Sequence, residues 1–198
     1  MSSAVASYGG DLRILCPGVP SRYAPGMTRV LITGMSGVGK STVLRVLAGR
    51  GLHTVDTDYD GWCGPADGTP PDRPETRPGW VWREDRMRRL LTGTTGPLYV
   101  GGCVENQAVF YRHFDHVVLL SAPEDVVLHR LATRATNDYG RHPDELAREL
   151  EQRRTVEPLL RAGATLEIDT TAPLADVVDR LTALIDCRGS WDRPVPPL

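Results

Sequence analysis

Residues 34–41 read Gly34-Met35-Ser36-Gly37-Val38-Gly39-Lys40-Ser41 and satisfy the pattern GxxxxGK[ST] at every required position. The residues before them, Thr28-Arg-Val-Leu-Ile-Thr33, form a short β-branched and aliphatic run, as a buried strand requires. Those after them, Ser41-Thr-Val-Leu-Arg-Val-Leu-Ala-Gly49, space their apolar residues along one helical face. Strand, glycine-rich turn and helix in this order give the pattern its physical meaning. Glycine lets the backbone curl so that successive N–H groups point at phosphate oxygens, and the helix adds the positive end of its dipole. Gly34, Ser36, Gly37, Val38, Gly39 and Thr42 are therefore expected around the phosphates of ATP. Lys40 should reach the β- and γ-phosphates, and the Ser41 hydroxyl should bind Mg2+.

Outward from this unit the chain alternates. Further strands are predicted at 53–57, 98–101, 116–120 and 165–169, and helices at about 81–92, 104–113, 122–135, 143–162 and 173–186. That order implies an α/β fold, a parallel sheet covered by helices on both faces. Ser121 and Glu124 have capping-box spacing, with Pro123 in the first turn. Pro158 should end or kink the long pattern at 143–162, because it removes a backbone donor and its ring meets the preceding turn. Residues 61–80 hold five prolines and four glycines and read as an irregular loop. Residues 1–26 and 189–198 read as tails, leaving one domain over 27–188. Because the first strand follows Met27 so closely, Met27 is a candidate natural start.

The bulk numbers bound the possibilities. With 198 residues, 40% hydrophobic and 24% charged residues and a formal charge of −2, the chain reads as one globular domain without a basic excess. Nucleic acid and membrane are not implied partners: no apolar run approaches the roughly 18 residues of a membrane span, and the chain reads as cytoplasmic. Four scattered cysteines form no CxxC pair, and five histidines show no metal-ligand spacing. Monomer and homodimer both stay open.

Val55-Asp56-Thr57-Asp58-Tyr59-Asp60 closes the second predicted strand. Alternation along a strand puts Asp56 and Asp58 on one face at the end where the glycine-rich turn also lies. One carboxylate can hold magnesium through its water shell, and the other can orient an acceptor hydroxyl or take its proton. The third strand, ending in Gly101-Gly102, lacks the acid that usually partners the ion, so Asp56 is the metal candidate and Asp58 the catalytic one. Gly101 and Gly102 either admit a substrate close to the backbone or make a tight turn. Arg134 and Arg141, at a helix end running into a polar loop at about 134–143, can close over ATP and neutralise developing charge, with Arg153 and Arg154 behind them. Trp62, Trp80 and Trp82 surround the segment 60–92, where an acceptor would dock; tryptophans there serve as readily for core packing.

On these residues the chain resembles the shikimate kinase and gluconate kinase branch of the small P-loop kinases. Gly34 to Ser41, Asp56-Thr57-Asp58, Gly101-Gly102 and the stretch from Glu157 to Thr171 carry the resemblance, which covers about residues 28–187. It implies a five-stranded parallel sheet of order 2-3-1-4-5, a lid, an acceptor segment after the second strand, and phosphoryl transfer from ATP to a small molecule. It also implies that Asp169 to Thr171 border the adenine. The match departs at Gly102-Cys103-Val-Glu-Asn106, and no counterpart of the carboxylate-binding arginines is present. The leading expectation is an ATP- and Mg2+-dependent kinase for a small hydroxylated acceptor. A nucleoside monophosphate kinase would use Arg83 to Arg89 for a second phosphate. A natural-product kinase would show an apolar pocket near Trp62 and Trp80, and a non-catalytic nucleotide-dependent binding protein would need no Asp58.

Overall fold

A computed structural model describes residues 26–66, 79–134 and 142–186. The expected tails at 1–25 and 189–198, the lid residues 135–141 with Arg141, and residues 67–78 of the acceptor segment lie outside the described residues.

Arg29–Thr33 forms β1, buried along its whole length. A strand covered on both faces should read as a continuous apolar run, and this one does apart from its polar ends. Helix α1 (Lys40–Gly49) follows the glycine-rich turn. Then come β2 (His53–Asp56), a short hairpin of β3 (Cys63–Pro65) and β4 (Trp80–Trp82), and α2 (Glu84–Gly93). Strand β5 (Leu98–Gly101) leads into a 3-10 helix over Gln107–His113 and β6 (His116–Ser121). Helices α3 (Glu124–Thr133), α4 (Pro143–Thr155) and α5 (Glu157–Gly163), strand β7 (Leu166–Asp169) and α6 (Leu174–Asp186) complete the chain.

The main sheet runs β2-β5-β1-β6-β7, with every pair parallel. Counting only its own strands in chain order, this is 2-3-1-4-5, as the resemblance implied. Val30 and Ile32 of β1 face a core shared with α1, α3 and α6, whereas Leu31 faces a second core with Trp82, Met87, Leu91 and Phe110. The alternation of β1 thus supplies both layers of the sandwich. Asp56 of β2 and Ile32 of β1 both pair with Gly101 of β5, so three carboxyl ends meet at one edge of the sheet. Order reverses about β1, and that edge is where ligands sit in open α/β sheets.

At the opposite end of β1, Arg29 is fully buried. Its guanidinium donates to the carbonyls of Leu91, Gly96 and Thr94 around the end of α2. The Leu91 carbonyl is one that a helix terminus leaves unpaired, so the guanidinium sits at the negative end of the α2 dipole.

Three local expectations change, and the expected break near Pro158 is present. Residues 61–80 are not wholly irregular: Cys63 pairs with Trp82 and Pro65 with Trp80, and α2 begins only at Glu84. The Trp82 indole donates to Thr57 Oγ1 at 2.9 Å, and Asn106 bonds both backbone groups of Trp82, so tertiary contacts hold a hairpin that propensity disfavours. The expected helix at 104–113 is a 3-10 helix. Ser121 forms no capping box, because β6 continues through it and Pro123 occupies the N-cap. The long helical pattern breaks at Val156, and Pro158 falls in the first turn of α5, where its missing donor costs nothing.

Candidate active site

The turn from β1 to α1 is shaped by close approach. A Cβ on Gly34 would lie 2.4 Å from the Leu120 carbonyl oxygen, and its φ of +142° is one that side chains resist. Gly39 takes a left-handed conformation at the N-cap of α1, where no side chain caps the helix and the first turn holds no acid. The N–H groups at this end are therefore turned toward an anion from elsewhere. Lys40 Nζ donates to the carbonyls of Gly34 at 2.8 Å and Met35 at 3.2 Å, so the ammonium spans the mouth of the loop. Ser36, Gly37, Val38, Gly39, Ser41 and Thr42 line the same open cleft, of about 1910 Å3.

Across that cleft stands Asp58. Its side chain opens to solvent, yet the cleft walls displace enough water to push its carboxyl pKa up. Lys40 and Arg134 pull it down and Asp56 pushes it further up. Asp56 lies differently from the expectation. The chain leaves the strand at Asp56, strand alternation stops, and Asp56 Oδ1 accepts the Asp58 N–H at 3.2 Å. Its side chain lines a neighbouring hollow with Tyr59, Asp60, Trp62 and Arg86. Thus the structure sets Asp58, and not Asp56, in the cleft with Lys40 and Ser41.

Trp62 lies in that hollow as well, beneath the Arg86 guanidinium, which sits 3.9 Å from the ring centroid. Trp80 does line the cleft, and Trp82 is core. The proposed substrate role of Gly101 and Gly102 gives way to packing. A Cβ on Gly101 would lie 2.3 Å from Leu44, and one on Gly102 2.1 Å from Thr57 Oγ1, so it is side chains of this chain that approach them. The wall of the cleft that faces the turn is built instead by Asp58, Trp80, Cys103, Gln107 and Tyr111. Gln107, buried in the 3-10 helix, receives a hydrogen bond from Thr33 Oγ1 at 3.1 Å and donates to the Tyr111 hydroxyl at 2.9 Å. Desolvation pushes the Cys103 thiol pKa up, and burial takes that of Cys63, under the hairpin, to about 12. Neither thiol is placed to be an activated nucleophile.

Arg134, just past α3, lines the cleft and lies close enough to Asp58 and Glu149 to oppose, in part, the upward push of desolvation on both carboxyl pKa values. Arg130, one turn earlier, donates to Thr170 Oγ1 and O and ties α3 to the end of β7. Arg153 is engaged on the Ala122 carbonyl and with Glu157 at 3.4 Å. None of Arg83, Arg86, Arg88 and Arg89 lines the cleft.

Sequence reasoning missed Glu149. This α4 residue is 2% exposed, and its Oε1 accepts the Ser36 N–H of the glycine-rich turn at 2.9 Å. The signal was positional: Leu146, Glu149 and Arg153 share one helical face, and Leu146 packs on the core, so two charges stand where apolar residues are expected.

A family model described as AAA domain matches residues 30–160. No curated protein matches the chain. Among solved structures, shikimate kinase from Acinetobacter baumannii in complex with shikimate is similar, with TM-score 0.56 and 20% identity over 82% of this chain and 95% of that one. Shikimate kinase from Bacteroides thetaiotaomicron gives 0.54 and 20%, over 81% and 99%. A gluconokinase from Sinorhizobium meliloti gives 0.53 and 20%, over 86% and 100%. At this identity the likeness is one of fold.

Proposed function

The chain belongs to the AAA domain family, and from that premise we propose that it transfers the γ-phosphoryl group of ATP to a hydroxyl of a small cytoplasmic molecule. One observation carries the reading. Asp58 faces Lys40 and the mouth of the phosphate-binding turn in a single cleft, with its carboxyl pKa raised. A protein that only bound nucleotide would have no use for a proton acceptor there.

In this reading the turn and Lys40 hold the β- and γ-phosphates, and Arg134 neutralises charge on the transferring oxygens. Asp58 orients the acceptor hydroxyl and takes its proton as the acceptor oxygen bonds to the γ-phosphorus and the bond to the ADP oxygen breaks. Most of the rate then comes from positioning and preset charge. Among the described residues no group of three His, Cys, Asp or Glu side chains gathers as for a metal. A magnesium ion would be held chiefly by phosphate oxygens and water, with Ser41 as the direct protein ligand, while Asp56 lines the neighbouring hollow and has no direct place on it. The ion would neutralise charge on the phosphates.

A nucleoside monophosphate acceptor is disfavoured, because Arg86 stacks on Trp62 and donates to Asp60 O, and Arg88 pairs with Glu84. The test is a screen of sugars, nucleosides, nucleotides and hydroxylated metabolites coupled to ADP formation. The proposal expects one class to drive ADP release. A flat response from every class, with ADP still binding, would leave a nucleotide-dependent binding protein in its place.

A further inference from the structure

Burying a carboxylate is costly unless opposite charges and hydrogen bonds compensate it. Glu149 is the only residue of α4 that is buried outright. Part of its compensation comes from the phosphate cradle itself. Ser36 N–H donates to it, and Lys40 and Arg134, together with Arg153 on its own helix, lower its carboxyl pKa against the larger upward push of desolvation. These are the groups a bound phosphate uses: an N–H of the turn, its lysine and a nearby arginine. The first turn of α1 offers no acid of its own, so the anion at this end of the cradle is brought by α4.

We propose that Glu149 is a tethered stand-in for a nucleotide phosphate, and that it sets nucleotide affinity. Its carboxylate holds the Ser36 amide, and a phosphate group of an incoming nucleoside di- or triphosphate reaches that amide only by displacing it. One N–H proton serves one strong acceptor, and two anions in the same nest of cations repel. Filling the cradle therefore releases α4 from the turn. The inference rests on the donor half of the proposed function and not on the acceptor.

Calorimetric titration of ADP and ATP into the full chain tests it, comparing wild type with Glu149→Ala and Glu149→Gln. Loss of the competing carboxylate should tighten both nucleotides by about tenfold in the alanine variant, the scale of one charge-assisted hydrogen bond. The glutamine variant should tighten them less, because its amide oxygen still accepts from Ser36 without the charge. A residue that merely braced the turn would weaken binding when removed, so the sign separates the two roles. Unchanged or weaker binding in the variants overturns the inference and leaves the kinase reading standing. Failure of wild type and both variants to bind any nucleotide overturns both. Should the alanine variant fail to fold, the near-isosteric glutamine variant decides alone by the same sign.

Discussion

The phosphate cradle takes its shape from eight consecutive residues, Gly34 to Ser41, whereas the wall facing it is assembled from stretches far apart in the chain. Asp58 comes from the turn after β2, Trp80 from the hairpin, Cys103 and Gln107 from the end of β5 and its 3-10 helix. The cradle is local geometry: a strand, glycines whose positive φ or close contacts disfavour a side chain, and a helix N-terminus. The opposing wall is tertiary geometry, and its anchors are side-chain bonds such as Trp82 to Thr57 and Asn106 to the backbone of Trp82. The same cleft thus has one half that a motif specifies and another that only packing specifies.

The sharpest way to probe this contrast is to injure each half separately. Lys40→Ala should lower turnover by about a thousandfold and weaken ATP, since it removes the charge that spans the cradle. Steady-state kinetics and ADP titration would show both losses. Asp58→Asn should lower turnover by about a hundredfold or more while ADP binding stays as in wild type. Equal damage to ADP binding would show that the halves are not separable.

Gly102→Ala tests whether the wall facing the cradle rests on packing. The added Cβ would meet Thr57 Oγ1, which is fixed by bonds to Gly101 O and from the Trp82 indole. A cost of about 1–3 kcal/mol follows from overpacking, read as a fall of about 2–4 °C in Tm per kcal/mol. ADP affinity should be unaffected. If Tm does not move, the hairpin is not held in the way its contacts indicate.

The smallest expected effect lies on the cradle side. Desolvation raises the Glu149 pKa in the folded chain above its ordinary value of 4.5. Between the two values the folded state binds more protons than the unfolded one, so this group's contribution to stability declines as pH rises through that window. Glu149→Gln should remove that decline. Thermal melts across the acid range would detect it as a flatter profile, and identical profiles would count against the raised value.

What could be read beforehand follows the same division. β1, the turn and α1 were legible because each is local and they agree with one another. The parallel sheet and its order followed from the alternation of elements and from the resemblance. The hairpin was not legible: Cys63-Gly64-Pro65 contains two poor strand formers, and its partner lies beyond the proline-rich stretch, so only Thr57 and Asn106 explain it. Strand alternation placed Asp56 and Asp58 in one cleft, but the strand ends at Asp56 and the following turn leaves them lining different hollows. Gly101 and Gly102 invited a substrate, yet the space they leave is filled by Leu44 and Thr57. Glu149 hid in a helix rich in charge, where one more acid carries no signal until the neighbouring face is counted.

The two halves are proposed to work on one phosphoryl group. Incubating the chain with ATP, magnesium and pooled hydroxylated metabolites, and following products by mass spectrometry, tests it most directly. One acceptor should gain a phosphoryl group in step with ADP, and Asp58→Asn should abolish the product while still binding ADP. ATP bound without any phosphorylated acceptor, or full product formation by Asp58→Asn, would contradict it.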